Sequence, residues 1–280
     1  MTSGEALRIG STKLLAAGVD GAVRDARWLL AHALSIPRDS LATHLEQPML
    51  LEAQRSFELA ISARATGKPV SKIIQRREFY GREFEVTADV LDPRPETEGL
   101  IEHLLEDGCP KRILDLGTGS GVLAITAVLE CTDASAMATD MSDATLTVAR
   151  RNAQRLGADT RIEFKQSDWL SEIHESFDAV LCNPPYIRAG DVAVLAPEVV
   201  EWDPAGALFA GADGLDAYRA IVHQLGSVLT KDGRAIFETG EGQTTDVAEI
   251  LKQDEKFDVR ILNEMSGRPR YVEAKHSKTA

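Results

Sequence analysis

From Leu14 onward apolar residues recur at near-helical spacing, at Leu14, Leu15, Val19, Val23, Ala26, Leu29, Leu30 and Leu34, the pattern that gives a helix one buried stripe. Pro37 and Asp39 interrupt the run, and further helical segments are predicted over 39–46 and 49–65, closed by Gly67 and Pro69. Between 78 and 92 the period changes to two. Phe79, Phe84, Val86 and Val90 stand among polar residues with Gly81 at a turn, which predicts a β-hairpin connecting two domains. Beyond residue 93 short β-rich runs alternate with helical ones: RILDL (112–116), ASAMAT (134–139), RIEFK (161–165), DAVLC (178–182), GRAIFE (233–238), DVRIL (258–262) and RYVEA (270–274). The alternation predicts an α/β domain whose mainly parallel sheet is covered on both faces. Such a sheet binds ligands beyond the carboxyl ends of its strands, where the strand order reverses.

Composition changes this picture by what it excludes. With 280 residues, 44% hydrophobic and 27% charged, the chain can bury enough apolar surface for one large or two ordinary domains, so disorder is excluded. No apolar run reaches the ~18 to 20 residues of a membrane span. The start, MTSGEALRIGSTK, lacks the apolar stretch of a secretory signal, so a cytoplasmic protein is expected. Cys109, Cys131 and Cys182 are sparse and lack metal-like spacing, and are expected to be packing residues in a reducing compartment. The histidines form no ligand-like cluster, so no metal site is expected. The net charge of −13 is uneven: residues 1–90 carry 12 basic and 11 acidic side chains, leaving 19 and 33 for the remainder. An acidic C-terminal part argues against general affinity for phosphate backbones. Within 64–82, however, Arg64, Lys68, Lys72, Arg76, Arg77 and Arg82 face only Glu78. That segment reads either as a solvated helix end and hairpin or as a surface steering an acidic protein partner.

Candidate chemistry collects at the predicted strand ends. Asp115, Gly117, Thr118, Gly119, Ser120 and Gly121 follow the first parallel strand and open a helix, where glycines permit a tight turn and a close ligand approach. The loop is GxGxG, without the last glycine of the dinucleotide pattern and without the Lys and Ser/Thr of a P-loop. Asp140 ends the second strand, placed to accept hydrogen bonds from ribose hydroxyls. Asp168 and Trp169 follow the third, a carboxylate and an indole suited to an adenine amino group and ring. Singly, each also reads as a turn, a helix cap or a packing residue. Convergence on one cleft points to an adenosine compound without an obligatory pyrophosphate. Asn183, Pro184, Pro185 and Tyr186 come directly after the fourth strand, at the next edge of that cleft. Glu238 ends a later strand with no role assigned.

DLGTGSG followed by NPPY resembles the S-adenosylmethionine-dependent methyltransferases that act on planar amino or amide nitrogen. PRPETE (93–98), GKPVSKIIQRREFYGREF before it, Pro197-Glu198-Val199, GADGLDAYR (211–219) and GRPRY (267–271) narrow the resemblance to the glutamine-N5 methyltransferases of peptide chain release factors, the HemK family. It covers nearly all of the chain from about Gly67, with the N-terminal helices matching by pattern. The chain has Asp92 where the family usually has Ile, which adds charge near the hairpin, and Asp203-Pro204 where it usually has Glu-Pro, which keeps the carboxylate. The resemblance implies a helical substrate-recognition domain (1–75), a hairpin linker (76–92) and a Rossmann-like domain with a seven-stranded sheet (93–280).

The same resemblance implies methyl transfer to the glutamine of a Gly-Gly-Gln motif, with S-adenosylhomocysteine as product and release factors as partners. Asn183 and the Pro184 carbonyl would accept the two amide N–H bonds, Pro185 would stiffen the backbone, Tyr186 would stack on the amide, and the strand-end residues, with Asn183, would hold the cofactor. A monomer with no stable nucleic-acid or membrane partner is expected. Two alternatives are a nucleic-acid amino-methyltransferase, since adenine N6 offers the same planar NH₂, and a catalytically idle protein-binding module.

Overall fold

Thr2 and Glu5 start the first helix reciprocally: the Glu5 N–H donates to Thr2 Oγ1 at 3.2 Å and the Thr2 N–H to Glu5 Oε2 at 2.8 Å. This capping box satisfies two otherwise orphaned donors. The structure is a computed structural model, and it describes residues 1–277. The first compact unit, Met1–Arg76 with Ala196–Trp202, contains α1 (Ser3–Ala16), α2 (Ala22–Ala33), a 3₁₀ helix (Arg38–His44), α3 (Leu51–Ala65), α4 (Val70–Ile74) and the short helix Pro197–Trp202. Leu14, Ala26, Leu29, Leu30, Phe57 and Ile61 form its core. Leu15 and Val23 are exposed instead. Each follows a buried residue, and a step of about 100° around the helix turns it off the buried face.

The basic segment contributes to the interior here. Arg64 is buried, with Nε donating to Asp25 Oδ2 at 2.8 Å and Nη1 to Glu198 Oε1 at 2.7 Å. Lys72 is buried as well, and Lys68 Nζ lies over the Trp202 ring at 5.1 Å. Arg64 and Lys72 are therefore inside the unit, while Lys68, Arg76, Arg77 and Arg82 are partly exposed.

In the second unit, Arg77–Leu195 with Asp203–Ala280, strands β1 (Arg76–Phe79) and β2 (Arg82–Glu85) form the expected hairpin. Its turn residues Tyr80 and Gly81 have φ of 49° and 70°, the two-residue geometry that matches strand twist and that glycine adopts without strain. The Tyr80 N–H donates to Glu98 Oε1 at 2.7 Å. Phe79 and Phe84 bury with Leu100, Ile101 and Leu104, so the hairpin is part of this unit's core. It is also shorter than the alternation suggested, because Val86 and Val90 turn away to pack on Val148.

All seven β-rich runs are strands: β3 (Arg112–Leu116), β4 (Ser135–Asp140), β5 (Ile162–Gln166), β6 (Phe177–Cys182), β7 (Leu229–Glu238), β8 (Phe257–Asn263) and β9 (Pro269–His276). They form the expected seven-stranded Rossmann-like sheet, ordered β5-β4-β3-β6-β7-β9-β8. The first five are parallel, whereas β9 runs antiparallel to both β7 and β8. Side chains alternate between the faces. Ile113, Ala179, Leu181 and Ile236 enter one layer with α5 (Glu98–Glu106) and α6 (Val122–Glu130). Leu114, Leu116, Val180, Cys182 and Phe237 enter the other with α8 (Asp216–Val228) and α9 (Thr244–Lys252). α7 (Asp143–Leu156) joins β4 to β5. From β3 the chain runs outward through β4 and β5 and then returns to β6 on the other side of β3, so the order reverses at the carboxyl end of β3.

The cysteine expectation is corrected in part. Cys109, ahead of β3, and Cys131, at the end of α6, lie 5.5 Å apart at Cα and are disulfide-bonded. A helix crossing back from the top of one strand ends beside that strand's start, and no sequence spacing records this. Cys182 is buried and free. Among the described residues no helix is long and apolar enough to cross a membrane.

Candidate active site

The strand ends β3, β4, β5 and β6 surround a cavity of about 260 Å³. The β3 loop turns through Gly117, Gly119 and Gly121 with φ of 68°, 57° and 86°. At Gly119 an added Cβ would meet nothing within 4 Å. It would stand in open space on the cavity wall, occupying room left for a ligand. Behind the loop, the fully buried Asp115 accepts from Thr118 Oγ1 at 2.6 Å and from the Ala124 N–H at 3.0 Å through one oxygen, while its other oxygen has no hydrogen-bond partner. Burial pushes its carboxyl up to about 6, against those two donors. Asp115 ties the loop to the start of α6 and does not reach the cavity surface.

A carboxyl raised on folding is penalised as it ionises, so its contribution is most favourable below about pH 4 and declines as pH rises through about 6. Moving a carboxyl from about 4 in the unfolded chain to about 6 in the folded one corresponds to about 3 kcal/mol. Asp115→Asn should therefore gain on the wild type by about that amount between pH 4 and 7 in chemical unfolding. Parallel stability curves would show that Asp115 does not carry the titration.

At the end of β4, Asp140 Oδ2 accepts from the Gly119 N–H at 3.3 Å and Oδ1 from the Ser142 N–H at 3.0 Å. Burial raises its carboxyl above the ordinary range, and these backbone donors oppose the rise. Its remaining lone pairs can accept ligand hydroxyls at the cavity. Asp168 and Trp169 line the cavity from the β5 end, with Trp169 held at φ 49°. Of the β3 loop, Gly117 and Gly119 line it, whereas Thr118, Ser120 and Gly121 support the loop from behind. A carboxylate, an indole and an open glycine turn suit an adenosine-bearing ligand.

From β6, Asn183, Pro184 and Pro185 line the same cavity. Asn183 Nδ2 donates to Thr97 Oγ1 at 3.0 Å. Tyr186 stands outside the lining. Its hydroxyl accepts from Arg270 Nη2 at 3.1 Å, and its carbonyl accepts from Gln243 Nε2 at 3.0 Å. Burial, the largest influence, and the nearby Glu238 raise the Tyr186 hydroxyl's pKa.

Two wall segments were missed in the sequence. Asp89, Val90 and Leu91 line one side, and Pro204, Gly206 and Ala207 another. Asp203 joins these walls, accepting from the Asp92 N–H at 3.1 Å and from Arg94 Nη2 at 2.9 Å. The available signal was their adjacency to PRPETE and to Asp203-Pro204, stretches used for resemblance without a place in the cleft. Asp92 is buried and paired with Arg77 at 3.8 Å. The charge it adds near the hairpin is thus met inside the unit by Arg77.

Comparison with known proteins follows the same division. Residues 5–74 match the PrmC N-terminal domain and residues 88–201 the methyltransferase small domain. The release factor glutamine methyltransferase of Cereibacter sphaeroides is 46% identical over 98% of this chain and 99% of its own. That of Rhodospirillum rubrum is 38% identical over 97% and 84%. A 16S rRNA N2 methyltransferase of T. thermophilus, solved with AdoMet and guanosine, shares the fold at TM-score 0.51 and 16% identity, over 72% of this chain and 50% of that one.

Proposed function

Because the chain belongs to the release factor glutamine methyltransferase family, we propose that it methylates the side-chain amide N5 of the glutamine in the Gly-Gly-Gln motif of peptide chain release factors, using S-adenosylmethionine and releasing S-adenosylhomocysteine. The observation that carries the reading is Asn183 on the cavity wall, with its amide nitrogen turned to Thr97. The amide oxygen, on the other arm of the same plane, is then left for a substrate.

Bound S-adenosylmethionine supplies an electrophilic methyl on a sulfonium that departs readily. The chain's task is alignment. A glutamine amide is a poor nucleophile because its lone pair is delocalised into the carbonyl. Asn183 Oδ1 and the Pro184 carbonyl accept its two N–H bonds, fix the nitrogen's position and favour the positive charge that develops on it until one of those protons is lost to solvent. Pro184 and Pro185 restrict the backbone, so these acceptors are preorganised. Asp140 would take the ribose hydroxyls, Asp168 and Trp169 the adenine, and the Gly117–Gly119 turn would leave room for the rest of the cofactor.

Loss of a charge-assisted hydrogen bond costs about 1.5–3 kcal/mol, so Asp140→Ala should weaken S-adenosylmethionine binding by roughly 10- to 100-fold in calorimetric titration. Unchanged affinity would remove Asp140 from the ribose site. The substrate assignment is tested by offering labelled S-adenosylmethionine with purified release factor, with the factor carrying alanine for the Gly-Gly-Gln glutamine, and with DNA and RNA. Label on the intact factor alone supports it. Label on nucleic acid would keep the site chemistry and overturn the substrate.

A further inference from the structure

Three stretches distant in sequence meet behind Asn183. Thr97 comes from PRPETE, Glu238 from the end of β7 and Arg270 from GRPRY at the start of β9. Asn183 Nδ2 donates to Thr97 Oγ1 at 3.0 Å, and Thr97 Oγ1 donates to Glu238 Oε2 at 2.7 Å. The other carboxylate oxygen, Oε1, accepts from Arg270 Nη2 at 3.0 Å, and that same nitrogen donates to the Tyr186 hydroxyl at 3.1 Å. Thr97 and Glu238 are buried, Glu238 completely. Both ends of the Asn183–Tyr186 segment are thus tied to one carboxylate that touches no cavity surface.

We propose that Thr97 and Glu238 are positioning residues that decide which way round the Asn183 amide stands. A carboxylate can only accept, so Glu238 takes the single hydroxyl proton of Thr97. The Thr97 oxygen then has only lone pairs to offer, and Asn183 must meet it with NH₂. Rotated by a half turn, the amide would set its oxygen against those lone pairs and present NH₂ to a substrate NH₂, two donors face to face. Burial raises the Glu238 carboxyl above its ordinary range, and the Arg270 guanidinium, paired with it at 3.0 Å, opposes that rise and favours the accepting form. This assignment rests on the proposed acceptor role of Asn183 and supplies the polarity that the role requires.

Thr97→Val keeps the side chain's shape and removes the hydroxyl; Thr97→Ser keeps the hydroxyl. With release factor as substrate, Thr97→Val should lose on the order of 10- to 100-fold in kcat, the scale of a misplaced reacting group. Thr97→Ser should retain most of the wild-type rate, and KM for S-adenosylmethionine should stay put in both. Glu238→Gln, whose amide can donate to Thr97 and so reverse the chain, should fall with Thr97→Val.

A second readout needs no turnover. In cofactor-free protein the Asn183 side-chain NH₂ resonance, assigned by its absence in Asn183→Ala, should exchange slowly with solvent in wild type and Thr97→Ser and rapidly in Thr97→Val. If Val and Ser variants lose rate equally, or if exchange is the same in all three proteins, the relay is overturned. Slow exchange lost only in Thr97→Val, in a protein that labels no release factor, would keep the relay and sink the substrate reading.

Discussion

Asn183→Ala should lower kcat for release-factor methylation by about 10²–10³-fold, the usual cost of removing one preorganised electrostatic partner from a transition state, while S-adenosylmethionine affinity stays within several-fold of wild type. The asymmetry follows from where the side chain points. Its nitrogen is committed to Thr97 at 3.0 Å, and its oxygen serves the group whose charge changes during methyl transfer. The ground-state amide gains little from that oxygen beyond an ordinary hydrogen bond, whereas the methylated nitrogen carries positive charge. The loss therefore falls on kcat more than on substrate KM. Pro184 still offers its carbonyl, so residual turnover is expected. Single-turnover rates beside calorimetric cofactor affinity provide the check. Wild-type turnover would sink the acceptor role, and an equal fall in affinity and rate would make Asn183 chiefly a cofactor ligand.

The sheet was legible because strands buried on both faces must be short apolar runs ended by turn residues, and RILDL, DAVLC and GRAIFE have that form. The cleft was legible for a related reason: in a parallel sheet, residues at or just beyond the carboxyl ends of the strands share one edge, so Asp115, Asp140, Asp168 and Asn183 could be gathered from their order along the chain alone. What escaped was whatever depends on direction or on pairing through space. Asp115 and Asp140 look alike in sequence, yet one points back under its loop and the other into the cavity. Thr97 and Glu238 are 141 residues apart, and neither signals that it will meet the other. The disulfide between Cys109 and Cys131, the departure of Val86 and Val90 from the hairpin and the burial of Asp92 all depend on where a chain segment returns.

Arg64 shows the same lesson with an energetic consequence. Arg64→Ala should destabilise the helical unit by about 3 kcal/mol, near the lower end of the cost of breaking a buried ion pair. The side chain joins α2, through Asp25 Oδ2 at 2.8 Å, to the short helix Pro197–Trp202, through Glu198 Oε1 at 2.7 Å. It also donates to the carbonyls of Gly67 and Lys68, at 3.3 and 3.4 Å, where α3 ends. Removing it leaves the Asp25 carboxylate buried with Arg24, whose nitrogens lie 3.1 Å from the other oxygen. Because that guanidinium is largely exposed, it offsets only part of the desolvation, which keeps the loss near 3 kcal/mol. Asp25→Leu combined with Arg64→Met, which removes both charges and keeps their volume, should recover more than half of it. Urea unfolding followed by circular dichroism separates the cases. A loss below about 1 kcal/mol for Arg64→Ala would place the pair among the weak surface contacts, and no recovery in the double variant would mean that its hydrogen bonds to the α3 end matter more than its charge.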